Sequence, residues 1–436
     1  MSGRRHRSSL VPQRPAAILG PVRPLVLLLG VLASTALPVP GSPAGAAEAG
    51  YLTSQFFWRA GGGPGVSPFD GWERGTGTTQ TQDGRLALDP ATAQPASDAP
   101  GAYGGKHYYN GGPYVFGEVT SPLTQAGFGI VRAVPSWNAD TPPGSWVELS
   151  VRAQLPGGRL TRWYSAGVWA AERSTVSRHS VKDQGDGDAA MATDTLVIGD
   201  GKPAAEAVQV KVRLMATRPD AIPTLRMAAV AVSTAQPKRR AGGPPPPAPG
   251  DPGRWNRILD VQGCTQSYPD GDAGWCSPTS MSMILSYWAK DAGPCEPKVR
   301  AAVDGVYDWV YEGHGNWPFN TAYAATHSLE ALVARFRSLA DAEPWIAAGV
   351  PVGMSYAWNA GQLSGAPVRS SDGHLGVLIG FDANGDPVVN DPAGKGDAIR
   401  RTYKRAELEN QWLTHSGGTA YLAYPPGWST PWSQAP

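Results

Sequence analysis

The 436-residue chain has few charged residues and almost no net charge. Its 37 Lys and Arg residues balance 36 Asp and Glu residues, and charged residues make up only 17% of the sequence. A chain without excess positive charge lacks the electrostatic attraction on which nonspecific binding to nucleic acid or anionic lipid depends. We therefore expect no nucleic-acid partner.

Long apolar runs are also scarce, because residues 24–39 (PLVLLLGVLASTALPV) form the only one. Arginines precede this run, and the small residues that signal peptidases accept follow it at 44–46 (AGA). Glycine and proline interrupt the run, which is shorter than the roughly 20 residues of a membrane-spanning helix. We interpret residues 1–46 as a cleaved signal peptide, with a retained anchor as the alternative and the Sec and twin-arginine routes both open. The mature chain would be secreted or cell-wall associated, with no integral membrane segment.

Cysteine occurs only three times, at Cys264, Cys276 and Cys295. An oxidising compartment tends to pair the cysteines of an exported protein, and an odd number leaves one thiol free. A disulfide between Cys264 and Cys295 would leave Cys276 as the free thiol. Other pairings, or three small buried cysteines, stay open at this point.

Glycine and proline are abundant, with 54 and 42 residues, and they concentrate at 237–253 (PKRRAGGPPPPAPGDPG). Because such a composition favours extended polyproline geometry, we predict a linker over 236–253. Residues 47–235 before it hold short alternating apolar runs between Gly/Pro-rich turns, which predicts an all-β sandwich or jelly-roll domain. Its aromatic residues fit a core, with a platform for cell-wall glycan or peptide as the alternative.

Residues 254–436 start with helical patterns and end with strand patterns, which predicts an α+β domain. The helices are predicted at 278–288, 297–311, 329–339 and 343–348, and the strands at 350–356, 374–381, 387–390 and 420–424.

Cys276 lies in the stretch GWCSPTSMSMILSYW, whose later apolar residues repeat at the spacing of one helix face. Ser277 is a suitable N-cap and Pro278 a suitable first helical residue. Cys276 would then stand at a helix N-terminus, where the helix dipole favours a negatively charged thiolate. This environment predicts that Cys276 is a nucleophile.

His374 opens the apolar strand HLGVLIGF, which continues through an Asn-Gly turn into a second strand ending near Asp391. The predicted hairpin brings His374 within a residue or two of facing Asp391. A carboxylate at this place can orient an imidazole that serves as the base for a nucleophile. Asp382 and Asn390 are alternatives for the orienting residue, and His314 is the alternative base.

Acyl transfer needs donors that stabilise an oxyanion. Gln266, ten positions before Cys276, can provide one beside the backbone N–H of Cys276, and Gln262 is the alternative. Aromatic residues are expected either to line the substrate cleft or to belong to the core: Trp317, Phe319 and Tyr323, with the loop 358–372 beside them.

Three stretches, TQSYPDGDAGWCSPTSMSMILSYW, GHGNWPFNTAYA and GHLGVLIGFDANGDPVVNDPA, resemble the papain-like cysteine peptidases of the bacteriocin-processing, double-glycine-leader type, family thirty-nine of the cysteine peptidases. SWNADTPPGSW and TRWYSAGVWA resemble its secreted actinobacterial branch. The resemblance implies a papain-like fold, with Cys276 as nucleophile, His374 as base, Asp391 as orienting residue and Gln266 in the oxyanion hole. Neither a metal nor an organic cofactor is expected.

These features together predict a secreted thiol peptidase that hydrolyses peptide or isopeptide bonds through a thioester acyl-enzyme. Its partner would be a peptide or protein substrate. The chain lacks the GxxxxGK[ST] phosphate loop, so leader removal coupled to ATP-driven export is not expected. The alternatives are hydrolysis of cell-wall peptides or amides on the same triad, acyl transfer to an amine, and a non-catalytic surface binding protein.

Overall fold

The structure is a computed structural model that describes residues 50–98, 112–238, 246–269 and 273–434. The predicted signal peptide (1–46) and the centre of the predicted linker (239–245) lie outside the described residues. Gly50–Pro436 forms one compact unit. Within the described ranges, no helix is long and apolar enough to cross a membrane.

Two antiparallel seven-stranded sheets make up the N-terminal region, as expected for an all-β domain. In spatial order, the first sheet consists of β11 (Ala189–Ala192), β12 (Thr195–Ile198), β8 (Arg132–Asp140), β14 (Thr224–Ser233), β4 (Leu86–Leu88) and β3 (Thr78–Gln80), with β1 (Thr53–Arg59) paired to β14. The second consists of β10 (Tyr164–Trp169), β9 (Ser145–Gln154), β13 (Ala205–Ala216), β6 (Pro113–Thr120) and β2 (Glu73–Arg74), with β5 (Gln94–Ser97) and β7 (Thr124–Ile130) at its side.

Strand β13 shows why these residues form sheets. Val208, Val210 and Val212 are buried, and the polar residues between them are half-buried on the opposite face. This period of two matches the alternation of side chains along a strand. The buried faces of both sheets contribute to one hydrophobic core.

The C-terminal region packs helices against a third antiparallel sheet. The helices are α1 (Cys276–Ala289), α2 (Cys295–Val306), α3 (Trp317–Ala325), α4 (Leu339–Ala347) and α5 (Arg405–Ser416). The sheet order is β16 (Glu330–Arg335), β21 (Thr419–Tyr424), β17 (Val352–Trp358), β18 (Ser371–Phe381), β19 (Pro387–Asn390) and β20 (Arg400–Thr402), with β15 (Arg257–Ile258) paired to β18. The described chain is thus mostly β-sheet with few helices, and a papain-like arrangement stays a prediction.

Two local predictions are wrong. The helix expected over 329–339 is instead β16, whose six residues are all buried. A strand that is buried on both faces has no polar alternation, so its apolar run is easily taken for a helix. In addition, α1 begins at Cys276, so Ser277 is inside the helix and does not cap it. The Ser277 hydroxyl instead hydrogen-bonds the Tyr421 hydroxyl at 2.9 Å.

The N-terminal sheet covers the open edge of β16. Asn138 of β8 donates its amide to the Ala331 carbonyl at 2.6 Å and accepts the Ala331 N–H at 3.0 Å. Ser136 accepts the N–H of Val333 at 3.1 Å. Because an exposed strand edge leaves backbone groups unpaired, these side chains supply partners for part of the free edge of β16. They also fix the two regions in register with each other.

Candidate active site

Cys276 is the first residue of α1 and is 8% exposed. A disulfide joins Cys264 to Cys295, with their Cα atoms 5.6 Å apart, and leaves Cys276 as the one free thiol of the chain. The N–H groups of a first helical turn have no acceptor within the helix, and together with the helix dipole they favour negative charge. The fold therefore gives Cys276 the surroundings expected for a nucleophile.

His374 lies between Cys276 and Asp391. Its Nε2 atom is 2.7 Å from Oδ1 of Asp391, and interaction with the Cys276 side chain helps to raise the pKa of the imidazole. Since Nε2 faces the carboxylate, Nδ1 is the ring nitrogen left for the thiol. The order of the three side chains is that of a nucleophile, a base and an orienting carboxylate.

The His374–Asp391 pair is almost fully buried, at 3% and 0% exposure. Burial lowers the pKa of His374, but the charge and hydrogen bond of Asp391, together with the nearby Cys276 side chain, outweigh this effect and raise it to about 10. Burial likewise raises the pKa of Asp391, while the charge and hydrogen bond of His374 lower it to about 2. The pair therefore carries an imidazolium and a carboxylate near neutral pH.

Two tyrosines hold the other oxygen of Asp391. The hydroxyl of Tyr403 donates to Oδ2 at 2.6 Å and that of Tyr356 at 3.0 Å, while the N–H of Ala393 donates to Oδ1 at 3.0 Å. Burial and the Asp391 charge raise the pKa of both phenols, so they remain protonated donors. Sequence reasoning missed both residues, since Tyr356 reaches the site from β17 and Tyr403 follows β20.

Aromatic rings enclose the imidazole of His374. Tyr356 and Trp358 meet it edge-on, with ring centroids 5.4 and 5.5 Å away. Tyr356 also pairs directly with His374 in the β17–β18 register. These rings exclude water and strengthen the buried charge interactions.

The alternative triad residues are engaged elsewhere. Asp382 accepts the N–H groups of Asn384 and Asp386 in the hairpin turn, each at 2.9 Å. Asn390 donates to the carbonyl of Val261 at 2.9 Å. His314 lines the same cleft as Cys276, with its ring packed against aromatic neighbours.

Gln266 lies beside the Asp391 turn, because its N–H donates to the carbonyl of Pro392 at 2.8 Å. Its side chain is not among the groups that line the cleft, and its oxyanion role stays a prediction. The alternative, Gln262, donates to the Gly293 carbonyl and accepts from Lys298. The backbone N–H of Cys276 is the donor that the helix start places next to the thiol.

A cleft of about 670 Å³ contains Cys276 and His374. Trp317 and Asp372 line the cleft, whereas Phe319 and Tyr323 do not. The structure therefore does not support the expectation that Phe319 and Tyr323 contact the substrate. Tyr323 lines a separate cavity of about 590 Å³ beside the second half of α1. Trp358, with which the predicted loop 358–372 begins, is the last residue of β17 and is buried.

Phe319 is fully buried in the N-terminal core instead. Its ring meets Trp137 and Trp169 edge-on at 6.1 and 5.4 Å. Gly167 allows this close approach, because a Cβ there would lie 2.7 Å from the Phe319 ring. Helix α3 therefore joins the cleft to the N-terminal sheets, with Trp317 on one side and Phe319 on the other.

The described residues include no group of three His, Cys, Asp or Glu side chains that could hold a metal ion.

Two family models match the chain. The Peptidase C39 N-terminal domain matches residues 66–233, and the Peptidase C39-like family matches residues 258–420. The chain belongs to the C39 peptidase family, of the actinobacterial type. This confirms the family that the sequence motifs resemble.

No curated protein matches this C39-family chain. Among solved structures, a family two carbohydrate esterase from Cellvibrio japonicus matches 54% of the chain at 11% identity, with a TM-score of 0.15. The chain spans half (50%) of that esterase. A likeness at this level supports no conclusion about fold or activity. The two C39 matches, by contrast, cover both regions that border the cleft.

Proposed function

We propose that the protein is a cysteine peptidase that hydrolyses peptide or isopeptide bonds through a Cys276–His374–Asp391 triad. The observation that carries the proposal is the short hydrogen bond of the buried His374–Asp391 pair in the same cleft as the free Cys276 thiol. An imidazole with a raised pKa beside a thiol at a helix start favours a thiolate–imidazolium pair. Membership of a peptidase family supports the same chemistry.

In the proposed reaction, the Cys276 sulfur attacks the substrate carbonyl and forms a tetrahedral oxyanion. The Cys276 N–H, with Gln266 as the predicted second donor, stabilises that oxyanion. His374 gives its proton to the departing amine as the C–N bond breaks, which leaves a thioester. His374 then takes a proton from the attacking water, and breakdown of the second intermediate releases the acid and the thiol.

Export of the chain is part of the proposal. The pattern of residues 1–46 is that of a signal peptide, and the Cys264–Cys295 disulfide suits a protein that works in an oxidising compartment. We place the enzyme outside the cell or at the cell wall. Peptides and proteins are then the substrates to test, together with cell-wall peptides.

The first test is the pH dependence of iodoacetamide labelling, with the modified cysteine located by mass spectrometry. We expect Cys276 to be labelled well below the pKa of a free thiol, about 8.5, and to lose this reactivity in His374→Ala. Labelling of Cys276 only near that pKa, or no dependence on His374, would contradict the proposal.

The second test is hydrolysis of a mixture of internally quenched peptides and of purified peptidoglycan. The Cys276→Ala protein is the control, because it keeps the cleft and loses the nucleophile. Release of new amino groups by the wild type alone is the expected result. Equal release by both proteins would exclude Cys276 as the source of the activity.

A further inference from the structure

One wall of the catalytic cleft is built by the N-terminal sheet. Arg132, the first residue of β8, and residues 192–195 at the β11–β12 turn line the cleft together with Cys276 and His374. Asp194 in that turn accepts the N–H of Trp317 at 2.8 Å, which fixes the turn to the start of α3. This hydrogen bond therefore fixes the wall in position beside the rest of the cleft.

Arg132 is half-buried in this wall, and its guanidinium makes no hydrogen bond or ion pair with any residue that the structure describes. Other arginines of the same sheet are paired: both Arg85 and Arg226 bind Asp140. A half-buried cation without a partner is unusual, since burying a charge costs free energy that a paired anion would offset.

The charged groups near Arg132 do not neutralise it, so its guanidinium remains a positive site in the cleft wall. Burial, followed by repulsion from nearby Arg335, lowers the pKa of Arg132. Of the carboxylates, Asp200 attracts it at a distance, without a hydrogen bond. The carboxylates that line the cleft do not pair with it either: Asp194, Glu312 and Asp372.

We propose that Arg132 binds a carboxylate of the peptide substrate, so that the N-terminal sheet selects the substrates of the C-terminal triad. The inference rests on the proposed peptidase function. A guanidinium presents paired N–H groups that match the two oxygens of a carboxylate. Because Arg132 and Cys276 share one cleft of about 670 Å³, the bound carboxylate belongs to a residue within a few positions of the scissile bond. Either an acidic side chain or a free C-terminus has this chemistry.

The test uses bromoacetyl-oligoglycine peptides of one to four residues, which alkylate Cys276 with loss of bromide. One series ends in a carboxylate, a second in a carboxamide, and a third carries one aspartate and a terminal carboxamide. At the best length, we expect an acidic reagent to label wild-type Cys276 about tenfold faster than its neutral counterpart. Preference for the first or the third series identifies the source of the carboxylate.

Arg132→Gln should abolish this acid-to-neutral ratio by slowing the acidic series to the rate of the carboxamide series, whereas Arg132→Lys should keep part of the ratio. Lys202→Gln is the matched control, because it removes one positive charge from the same region outside the cleft. Thermal unfolding of each variant verifies its fold.

An acid-to-neutral ratio that stays the same in Arg132→Gln would overturn the role of Arg132 and leave the triad standing. Equal loss of the ratio in Lys202→Gln would also overturn it, because the effect would then come from overall charge. Failure of the carboxamide series to label Cys276 at neutral pH would instead overturn the proposed function, and this inference would fall with it.

Discussion

The proposed triad and the wall of the cleft that contains Arg132 differ in how their charges are paired. In the triad, the Asp391 carboxylate receives hydrogen bonds from His374, Tyr356, Tyr403 and the Ala393 backbone, all from the C-terminal region. In the wall, Arg132 comes from the N-terminal region and has no partner among the described residues. In the proposed mechanism, the groups that act on protons are thus fixed in advance, while the charge proposed to bind the substrate has no partner within the described chain.

The largest expected effect comes from breaking the triad at its carboxylate. Asp391→Asn keeps the size of the side chain and removes the charge that holds His374 as an oriented imidazolium. We expect kcat/KM to fall by roughly 10³-fold or more, as for other triads that lose this group. Arg132→Gln serves as the contrast, since it should reduce kcat/KM only for substrates that carry the carboxylate.

The same variant should change the pH profile in a defined direction. Asp391 is the main cause that raises the pKa of His374 to about 10. Without that charge the pKa of His374 falls, so the imidazolium loses its proton at lower pH. The alkaline limb of kcat/KM should therefore move to lower pH in Asp391→Asn. An unmoved limb would show that His374 does not set it.

The second expected effect concerns the link between the two regions. Phe319→Ala removes a ring from between Trp137 and Trp169, and truncation of a buried Phe costs about 3–5 kcal/mol of unfolding free energy. Because Trp317 at the start of the same helix lines the cleft, we also expect weaker substrate binding. Urea unfolding and KM measure the two effects.

Gly167→Ala tests the same packing of Phe319 against the N-terminal sheets from the opposite side. The added methyl would lie 2.7 Å from the Phe319 ring, and Gly167 has a φ of +146°, which L-residues rarely adopt. In the Phe319→Ala background the steric clash disappears and the backbone strain remains. The substitution should therefore cost less there than in the wild type, and additive costs would contradict the packing described.

The three residues of the proposed triad each follow a local signal in the sequence. Pro278 and the apolar spacing indicate a helix start near Cys276, and an Asn-Gly turn predicts the hairpin that brings His374 towards Asp391. Even here the register differs in detail, since Val377 pairs with Asn390 and a bulge follows Leu378. Local rules thus place the elements, and the final contacts depend on the bulge.

The wall and the tyrosines have no such signal. Arg132 is one polar residue at the start of a strand in the other half of the chain, and only packing between the regions brings it to the cleft. Phe319 stands two positions from Trp317 on the same short helix, yet the two face different surroundings. Spacing alone could not tell a cleft residue from a core residue there.

The smallest expected effect on kcat/KM comes from removing the hydroxyl of either tyrosine that donates to Asp391. Tyr403→Phe and Tyr356→Phe each remove one hydroxyl and keep the ring. The lost hydrogen bond raises the pKa of Asp391 and leaves its carboxylate less firmly oriented towards His374, which lowers kcat/KM about tenfold, the lower end of the value of one hydrogen bond to a charged group. Tyr403, at 2.6 Å, should matter more than Tyr356, at 3.0 Å.

The measurement is kcat/KM against pH for both variants, with thermal unfolding beside it. A positioning role predicts that the alkaline limb moves to higher pH in Tyr403→Phe, because the ionised Asp391 loses a donor that offsets its charge and then attracts the imidazolium of His374 more strongly. A purely structural role would lower the unfolding temperature and leave that limb in place. If both variants kept the wild-type limb and rate, the hydroxyls would not tune the triad, and its charge would depend on His374 and Asp391 alone.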